Sequence, residues 1–286
     1  MLNSKGLDQL LVTVCNALPM TDQRDWRSRL QTDRPHSARV WNYLLGGKDH
    51  YPVDSEIGDA ILRTFPEIAA IARQQRSFLV RAVRYLTREA GIRQFLDIGT
   101  GLPTANNTHE VAQGIAPDSK VVYVDNDPIV LAHADALLRS TPQGECAYLD
   151  ADVRDPQKIL SQAAGTLDFD QPIGLILLGI MGQLPDDEEP ERIAAELIDA
   201  LPQGSYVALS DGTDSSDKLK VAIEAYNAQS VNSYHLRSRE HIGRFLQGLR
   251  LVEPGLVKSA DWRPEPGSAE VALDQGNAVG VVGLKG

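Results

Sequence analysis

Sulfur, aromatic side chains and positive charge are all scarce in this chain. Two cysteines, Cys15 and Cys146, occur in 286 residues. They lie far apart and show no metal-ligand spacing, so a disulfide framework is excluded and a reducing, cytoplasmic setting is expected. No apolar run reaches the roughly 20 residues that a membrane-spanning helix requires, so no membrane partner is expected. The mildly apolar stretch Leu7 to Leu18 contains Asp8, Gln9 and Asn16 and lacks a basic lead. It reads as a short amphipathic helix or a frayed leader rather than a signal peptide. Lys plus Arg is 28 against 39 Asp plus Glu, a formal net charge of -11. That balance argues against a general nucleic-acid partner, which needs a basic surface to neutralise phosphate. The arginines Arg73, Arg76, Arg81, Arg84, Arg88 and Arg93 are spaced along one helix and read as a solvated face.

The apolar content, 42% of residues, is ordinary for a globular protein and sufficient for a substantial core. Residues 1–91 show helical periodicity and no strand. Their best helix spans Pro66 to Ala90, with Ile68, Ile71, Phe78, Val83 and Leu86 on one face and Gly91 as its stop. From residue 92 the pattern changes. Strands are expected at Gln94–Ile98, Lys120–Val124, Glu145–Leu149, Ile173–Leu178 and Ser205–Ser210. Helices are expected between them at Asn107–Ile115, Pro128–Arg139, Pro156–Ala164 and Glu189–Ala200. This alternation implies βαβ units and a parallel sheet. Helices at Ser216–Gln229 and Ser238–Leu246 follow. Two more strands, Leu249–Val252 and Ala278–Leu284, are expected to close one sheet edge, with Trp262 to Gly267 as loop. The expected organisation is a helical cap, residues 1–91, on an α/β domain, residues 92–286.

The informative word is Phe95-Leu96-Asp97-Ile98-Gly99-Thr100-Gly101-Leu102-Pro103-Thr104. A strand ends in an acid and a glycine turn follows, so backbone can pass close to a ligand. A dinucleotide site needs a third glycine where this chain has Thr104, and a carboxylate at Asp97 would repel a pyrophosphate. The same carboxylate suits a cationic amino group. S-adenosylmethionine carries one, beside its sulfonium. The next strand ends at Asp125, followed by Asn126, where a carboxylate can accept from both hydroxyls of a ribose. The third leads to Asp152 and Val153, where the acid can accept from an adenine amino group and the amide can donate to the ring. Acids at strand ends often serve only as helix caps. Three at successive strand ends, with a glycine turn after the first, point to one ligand beyond the carboxyl edge of the sheet.

These words resemble the motifs of class I S-adenosylmethionine-dependent methyltransferases. Within that group the chain is identified as similar to the S-adenosyl methyltransferase family, formerly catalogued as a domain of unknown function. The resemblance runs over about residues 33 to 266. It is carried by Arg34-Pro35-His36-Ser37-Ala38-Arg39-Val40, by Leu44-Leu45-Gly46-Gly47-Lys48-Asp49 and by the glycine word above. Val121 to Pro128, Val252 to Val257 and Trp262-Arg263-Pro264 also match. It implies a Rossmann-like, seven-stranded, mostly parallel sheet with the last strand antiparallel. It also implies S-adenosylmethionine as cofactor and methyl transfer as the reaction.

The expected cofactor-binding residues are Asp97, Gly99, Thr100, Gly101, Asp125, Asn126, Asp152 and Val153. Met181 and Gln183, after the fourth strand, are expected near the methyl group, and Lys48 or Arg76 near the cofactor carboxylate. The turn Gly46 to Tyr51 is read as a lid. His50, Tyr51 and His109 are candidate acid–base groups. Two positions depart from the resemblance. No histidine stands near Gly182-Gln183, and Ser210-Asp211-Gly212-Thr213 replaces a Ser-His pattern. A small-molecule acceptor is expected from the family's company and the acidic charge. A protein that binds the cofactor without turnover, and a nicotinamide-dependent oxidoreductase, are the alternatives. No metal site is expected, and the oligomeric state is not legible.

Overall fold

The structure is a computed structural model that describes residues 31–130, 133, 139–265 and 277–286. The Leu7–Leu18 stretch and most of Pro128–Arg139 lie outside the described residues. Five parallel strands form the body of the sheet: β1 (Gln94–Ile98), β2 (Lys120–Asp125), β3 (Glu145–Asp150), β4 (Gly174–Leu178) and β5 (Tyr206–Gly212). Beyond β5 come β6 (Arg250–Leu251), β7 (Val257–Lys258) and β8 (Ala278–Leu284). The order is β3-β2-β1-β4-β5-β8-β6, with β7 also paired to β8. β8 runs antiparallel to β5, β6 and β7. The sheet therefore has eight strands rather than seven. The expected edge strand Leu249–Val252 shrinks to β6, and β7 lies outside every expected strand; at two residues each, both are too short to leave a periodic signal. β8 lies inside the sheet between β5 and β6.

Buried strands in a parallel sheet need apolar residues on both faces, and these have them. Leu96, Ile98, Val122, Val124, Leu175 and Leu177 belong to one core. Facing them are α5 (Pro156–Ala163), α6 (Pro190–Asp199) and α8 (Arg239–Arg244), through residues such as Ile159, Leu197 and Ile242. The alternate positions Phe95, Val121, Tyr123, Ile176 and Ala208 belong to the opposite core. There they meet α3 (Ile68–Arg88) and α4 (Thr108–Gln113).

α3 is a helix because Ile68, Ile71, Ala72, Phe78, Leu79, Ala82, Val83 and Leu86 recur at three- and four-residue intervals on one buried side. Gly91, at φ +75, stops it, and Ile92 N turns back to donate to Leu86 O at 2.9 Å. The arginine row on this helix is not a uniformly solvated face. Arg81 is buried and donates to Trp262 O at 2.8 Å and Ser259 O at 2.6 Å. The Trp262 ring stands edge-on to Phe78 and Tyr85. A guanidinium whose donors meet carbonyls can be buried where a lone charge could not.

The N-terminal region holds two further helices, α1 (Ser37–Leu44) and α2 (Pro52–Thr64). Pro52 occupies the first turn of α2, where a missing N–H costs nothing. Asp54 closes that turn by accepting from Tyr51 N at 2.8 Å. The same carboxylate accepts from His36 N at 2.9 Å and pairs with Arg39 Nε at 3.1 Å. Both Asp54 and Arg39 are buried. These helices and α7 (Asp217–Asn227) share a third apolar cluster, which includes Val40, Ile61 and Leu219. Among the described residues no helix is long and apolar enough to cross a membrane.

Removing one partner of a buried ion pair strands the other. The Asp54→Ala variant is therefore expected to lose about 3–5 kcal/mol of stability in equilibrium denaturation. A loss under about 1 kcal/mol would show that Arg39 finds another acceptor.

Candidate cofactor and acceptor site

From β1 the chain steps outward through β2 to β3, then returns to β4 and β5 on the other side. The carboxyl ends of β1 and β4 therefore flank a topological switch point, where open α/β sheets bind ligands. The turn after β1 is shaped for close approach. Gly99 has φ +74, and a β-carbon there would stand 2.7 Å from the Ile180 side chain. Gly101 has φ +64. Both are conformations that side-chain-bearing residues rarely adopt. Gly99 N donates to Val124 O at 2.9 Å, and Gly101 N donates to Asp125 Oδ2 at 2.8 Å. The tip of β2 thus holds the turn of β1.

Asp125 also accepts from Asp127 N through Oδ1 at 3.0 Å. An ionised carboxylate offers about four lone-pair positions, so acceptor capacity remains. Burial pushes its pKa up to about 6, with the Asp127 charge adding and the two backbone donors and His36 opposing. Asp97 accepts from Thr108 Oγ1 at 2.6 Å. Burial pushes it up to about 6 as well, opposed by Thr108 and Arg76 and reinforced by Asp125. Both acids line one cavity where burial disfavours their charges, and a ligand bringing a cation and hydroxyl donors would offset that.

At the tip of β3, Asp152 Oδ2 accepts from Asn126 Nδ2 at 2.8 Å. Its Oδ1 accepts from Arg154 N at 2.9 Å. Val153 is buried beside it. One cavity is lined by Asp97, Gly99, Thr100, Gly101, Asp125, Asn126, Asp152, Val153 and Arg76. The structure thus gathers nine of the expected cofactor residues. Arg76 reaches the Ala105 and Asn106 carbonyls, each at 3.2 Å. Burial pulls its pKa down while Asp97 pulls it up.

Other expected residues lie elsewhere. Met181 is buried in the sheet core and does not line the cavity; Arg237 Nη1 donates to its carbonyl at 2.8 Å. Its neighbours Ile180 and Gln183 do line it. Lys48 is exposed and off the cavity wall. His109 is buried on the α3 face, where its Nδ1 and its backbone N both meet the Tyr123 hydroxyl at 2.8 Å. Burial holds its pKa below the ordinary histidine value. His50 stands edge-on to Tyr43 at 5.0 Å, and Tyr51 is the buried residue that precedes α2. Neither lines the cavity. The turn Gly46 to Tyr51 is pinned from below: Asn42 accepts from Gly47 N through its backbone oxygen at 2.8 Å and from Asp49 N through Oδ1 at 3.1 Å. Asp49 also pairs with His133 at 3.5 Å.

Several residues in the cavity wall or bonded to it escape sequence reading. His36, which precedes α1, pairs through Nδ1 with Asp127 Oδ2 at 2.9 Å. Burial opposes its charge, but Asp127 outweighs this and its pKa is raised. Gln75 reaches in from α3 and donates to Ser210 Oγ at 3.2 Å. Asp211, in the position of the absent histidine, accepts from Gly182 N at 2.9 Å and from the Tyr234 hydroxyl. Burial pushes it up to about 6, opposed by Tyr234 and Arg237. Tyr234 lines the cavity. His36 stands inside a matching family word, which could have marked it. Nothing in sequence spacing connects Asp211 with Tyr234.

The strand order, the antiparallel β8 and an acid at the tip of β1 and of β2 define a class I methyltransferase fold. A family model described as S-adenosyl methyltransferase matches residues 23–286. The chain belongs to this family, whose cofactor is S-adenosylmethionine. It is similar to the crystal structure of a DUF574 family protein from Streptomyces avermitilis. Identity is 43% and the TM-score 0.86, over 89% of this chain and 99% of that one. A candidate methyltransferase from Thermobifida fusca is 37% identical with a TM-score of 0.82, over 90% and 97%. The plantazolicin methyltransferase BpumL, solved with a triazolic desmethylPZN analog and S-adenosylhomocysteine, shares the fold at 13% identity and TM-score 0.50, over 87% and 95%. No curated protein matches the chain.

Raised pKa values at Asp97 and Asp125 set a sign. In the free protein each acid favours the folded state while protonated, at low pH, and that contribution is lost as pH rises through about 6. A ligand that needs both carboxylates ionised gains affinity in the opposite direction. S-adenosylhomocysteine should bind at least about tenfold more tightly at about pH 7 than at about pH 5, with proton release on binding. Calorimetry in buffers of different ionisation enthalpy measures both. A flat profile would remove these acids from the site.

Proposed function

We propose that the protein transfers the methyl group of S-adenosylmethionine to a small-molecule acceptor. The observation that carries this reading is one cavity beyond the ends of β1, β2 and β3 lined by Asp97, Asp125, Asp152 and the glycine turn that Asp125 holds. The residues fit the cofactor: Asp97 faces its amino group, Asp125 accepts from the ribose hydroxyls, and Asp152 with the Val153 amide reads the adenine edge. Arg76 neutralises the cofactor carboxylate. The same Asp97 argues against a nicotinamide dinucleotide, whose pyrophosphate it would repel.

When bound, S-adenosylmethionine supplies a methyl carbon already activated by its sulfonium. It would leave as the neutral thioether once its methyl–sulfur bond is exchanged for a bond to the acceptor, and a neutral O–H or N–H acceptor would release one proton to solvent. The chain's own contribution is alignment and exclusion of water. We read α1 and α2, within the N-terminal cap, as the roof that supplies this exclusion, because Val40, Trp41, Leu44 and Ile61 line the outer cavity. A second reading, binding without turnover, is favoured by the absent histidine at the end of β5, where Asp211 is engaged by Tyr234 and Gly182.

Calorimetric titration tests the proposal. Micromolar binding of S-adenosylmethionine and S-adenosylhomocysteine, with none of NADH, is expected. The Asp125→Ala variant should bind about 10- to 100-fold more weakly, through loss of charge-assisted bonds to hydroxyls. Undiminished affinity in a folded variant would overturn the ribose assignment. Turnover with a pool of cell metabolites separates an active enzyme from an idle binder.

A further inference from the structure

We infer that the acceptor is an uncharged, predominantly apolar small molecule seated between α1, α2 and α7. The inference rests on the cofactor reading, because it concerns the other half of the same cavity. Charge on the cavity wall is sharply divided. Among the described residues the acidic and basic side chains on the wall are His36, Arg76, Asp97, Asp125, Asp152 and Arg154. Five belong to the strand tips or to the α3 segment over the glycine turn. The sixth, His36, pairs with Asp127 just beyond Asp125.

The remainder of the wall is different. Trp41 comes from α1 and Leu45 from just after it, Ile61 from α2, Ile223 and Tyr226 from α7, and Leu236 from the loop after that helix. All six belong to the third apolar cluster, separate from both sheet cores. No described residue in this half is an acid, a lysine, an arginine or a histidine. Its polar groups, Ser37, Asn42, Gln75, Tyr226, Asn232, Tyr234 and Asn277, are neutral hydroxyls, amides and phenols. One of the two phenols is already committed. Tyr234 donates to Asp211 and accepts from Gly212 N at 3.0 Å. An ion entering this half would lose its water and meet no counter-charge, whereas an apolar molecule gains by leaving water. A neutral acceptor with one polar group can still be oriented by the amides or by the remaining lone pair of Tyr234.

The test uses the full-length protein saturated with S-adenosylhomocysteine at neutral pH. Three probes share one skeleton and differ in charge: naphthol, naphthoate and naphthylmethylammonium. Naphthol should bind at least tenfold more tightly than either ion. Ile223, half-buried on α7, can be replaced without opening a core. The Ile223→Lys variant should weaken naphthol at least tenfold and leave S-adenosylhomocysteine affinity within twofold. Equal or tighter binding of either ion would overturn the inference. So would failure of all three probes to bind the cofactor-loaded protein, or an Ile223→Lys variant with unchanged naphthol affinity. Failure of S-adenosylhomocysteine itself to bind would overturn the cofactor reading instead, and the same probe comparison on the unliganded protein would then decide this inference alone.

Discussion

One hydrogen bond organises the site: Gly101 N to the carboxylate of Asp125. It ties the turn leaving β1 to the tip of β2, and it works only if both glycines adopt left-handed backbone and Ile180 can close on Gly99. With the turn fixed, Asp97 is held beneath it by Thr108. Two acids are then buried close together in a place that disfavours both charges. The fold tolerates this arrangement because its remaining capacity is turned toward the cavity. That is preorganisation of the kind a binding site requires: the polar groups are placed before the ligand arrives.

Attachment of the N-terminal helices follows a related logic. Asp54 gathers Arg39 and the His36 and Tyr51 amides into one buried knot, while His36 reaches across to Asp127. Asp49 and His133 make a second bridge near the same sheet region. The N-terminal helices are thus held to the β2 side by paired charges and to α7 by apolar contact. This dual attachment explains why one wall of the cavity is ionic and the other greasy.

Much of this was readable in the chain. Short apolar runs marked the five parallel strands within a residue or two; those inside the sheet are mainly apolar because both their faces are buried, whereas β3, at the edge, is half-exposed. The acid–glycine word located the turn, since few other patterns permit backbone to pass so close to a ligand. Three kinds of feature were hidden. Strands of two residues, β6 and β7, are too short to show a period. Direction is not encoded by position: Met181 follows the right strand yet points into the core, and His109 follows the right turn yet faces Tyr123. Partnerships across long separations, such as Arg81 with Trp262 and Asp211 with Tyr234, depend on packing that no local pattern reports. The arginine row on α3 was misread for that reason.

The placement of β8 has a bearing on how the chain acquires its shape. The strands from β1 to β5 can pair with one another in the order β3-β2-β1-β4-β5 once they exist. β6 and β7 have no such opportunity, because their hydrogen-bonding partner is β8. The far side of the sheet therefore assembles by insertion of a late strand between an early one and two waiting fragments. Contacts of such long separation are slow to close. During biosynthesis the edge of β5 stays open until that insertion occurs, which makes it the region most in need of protection from neighbouring chains.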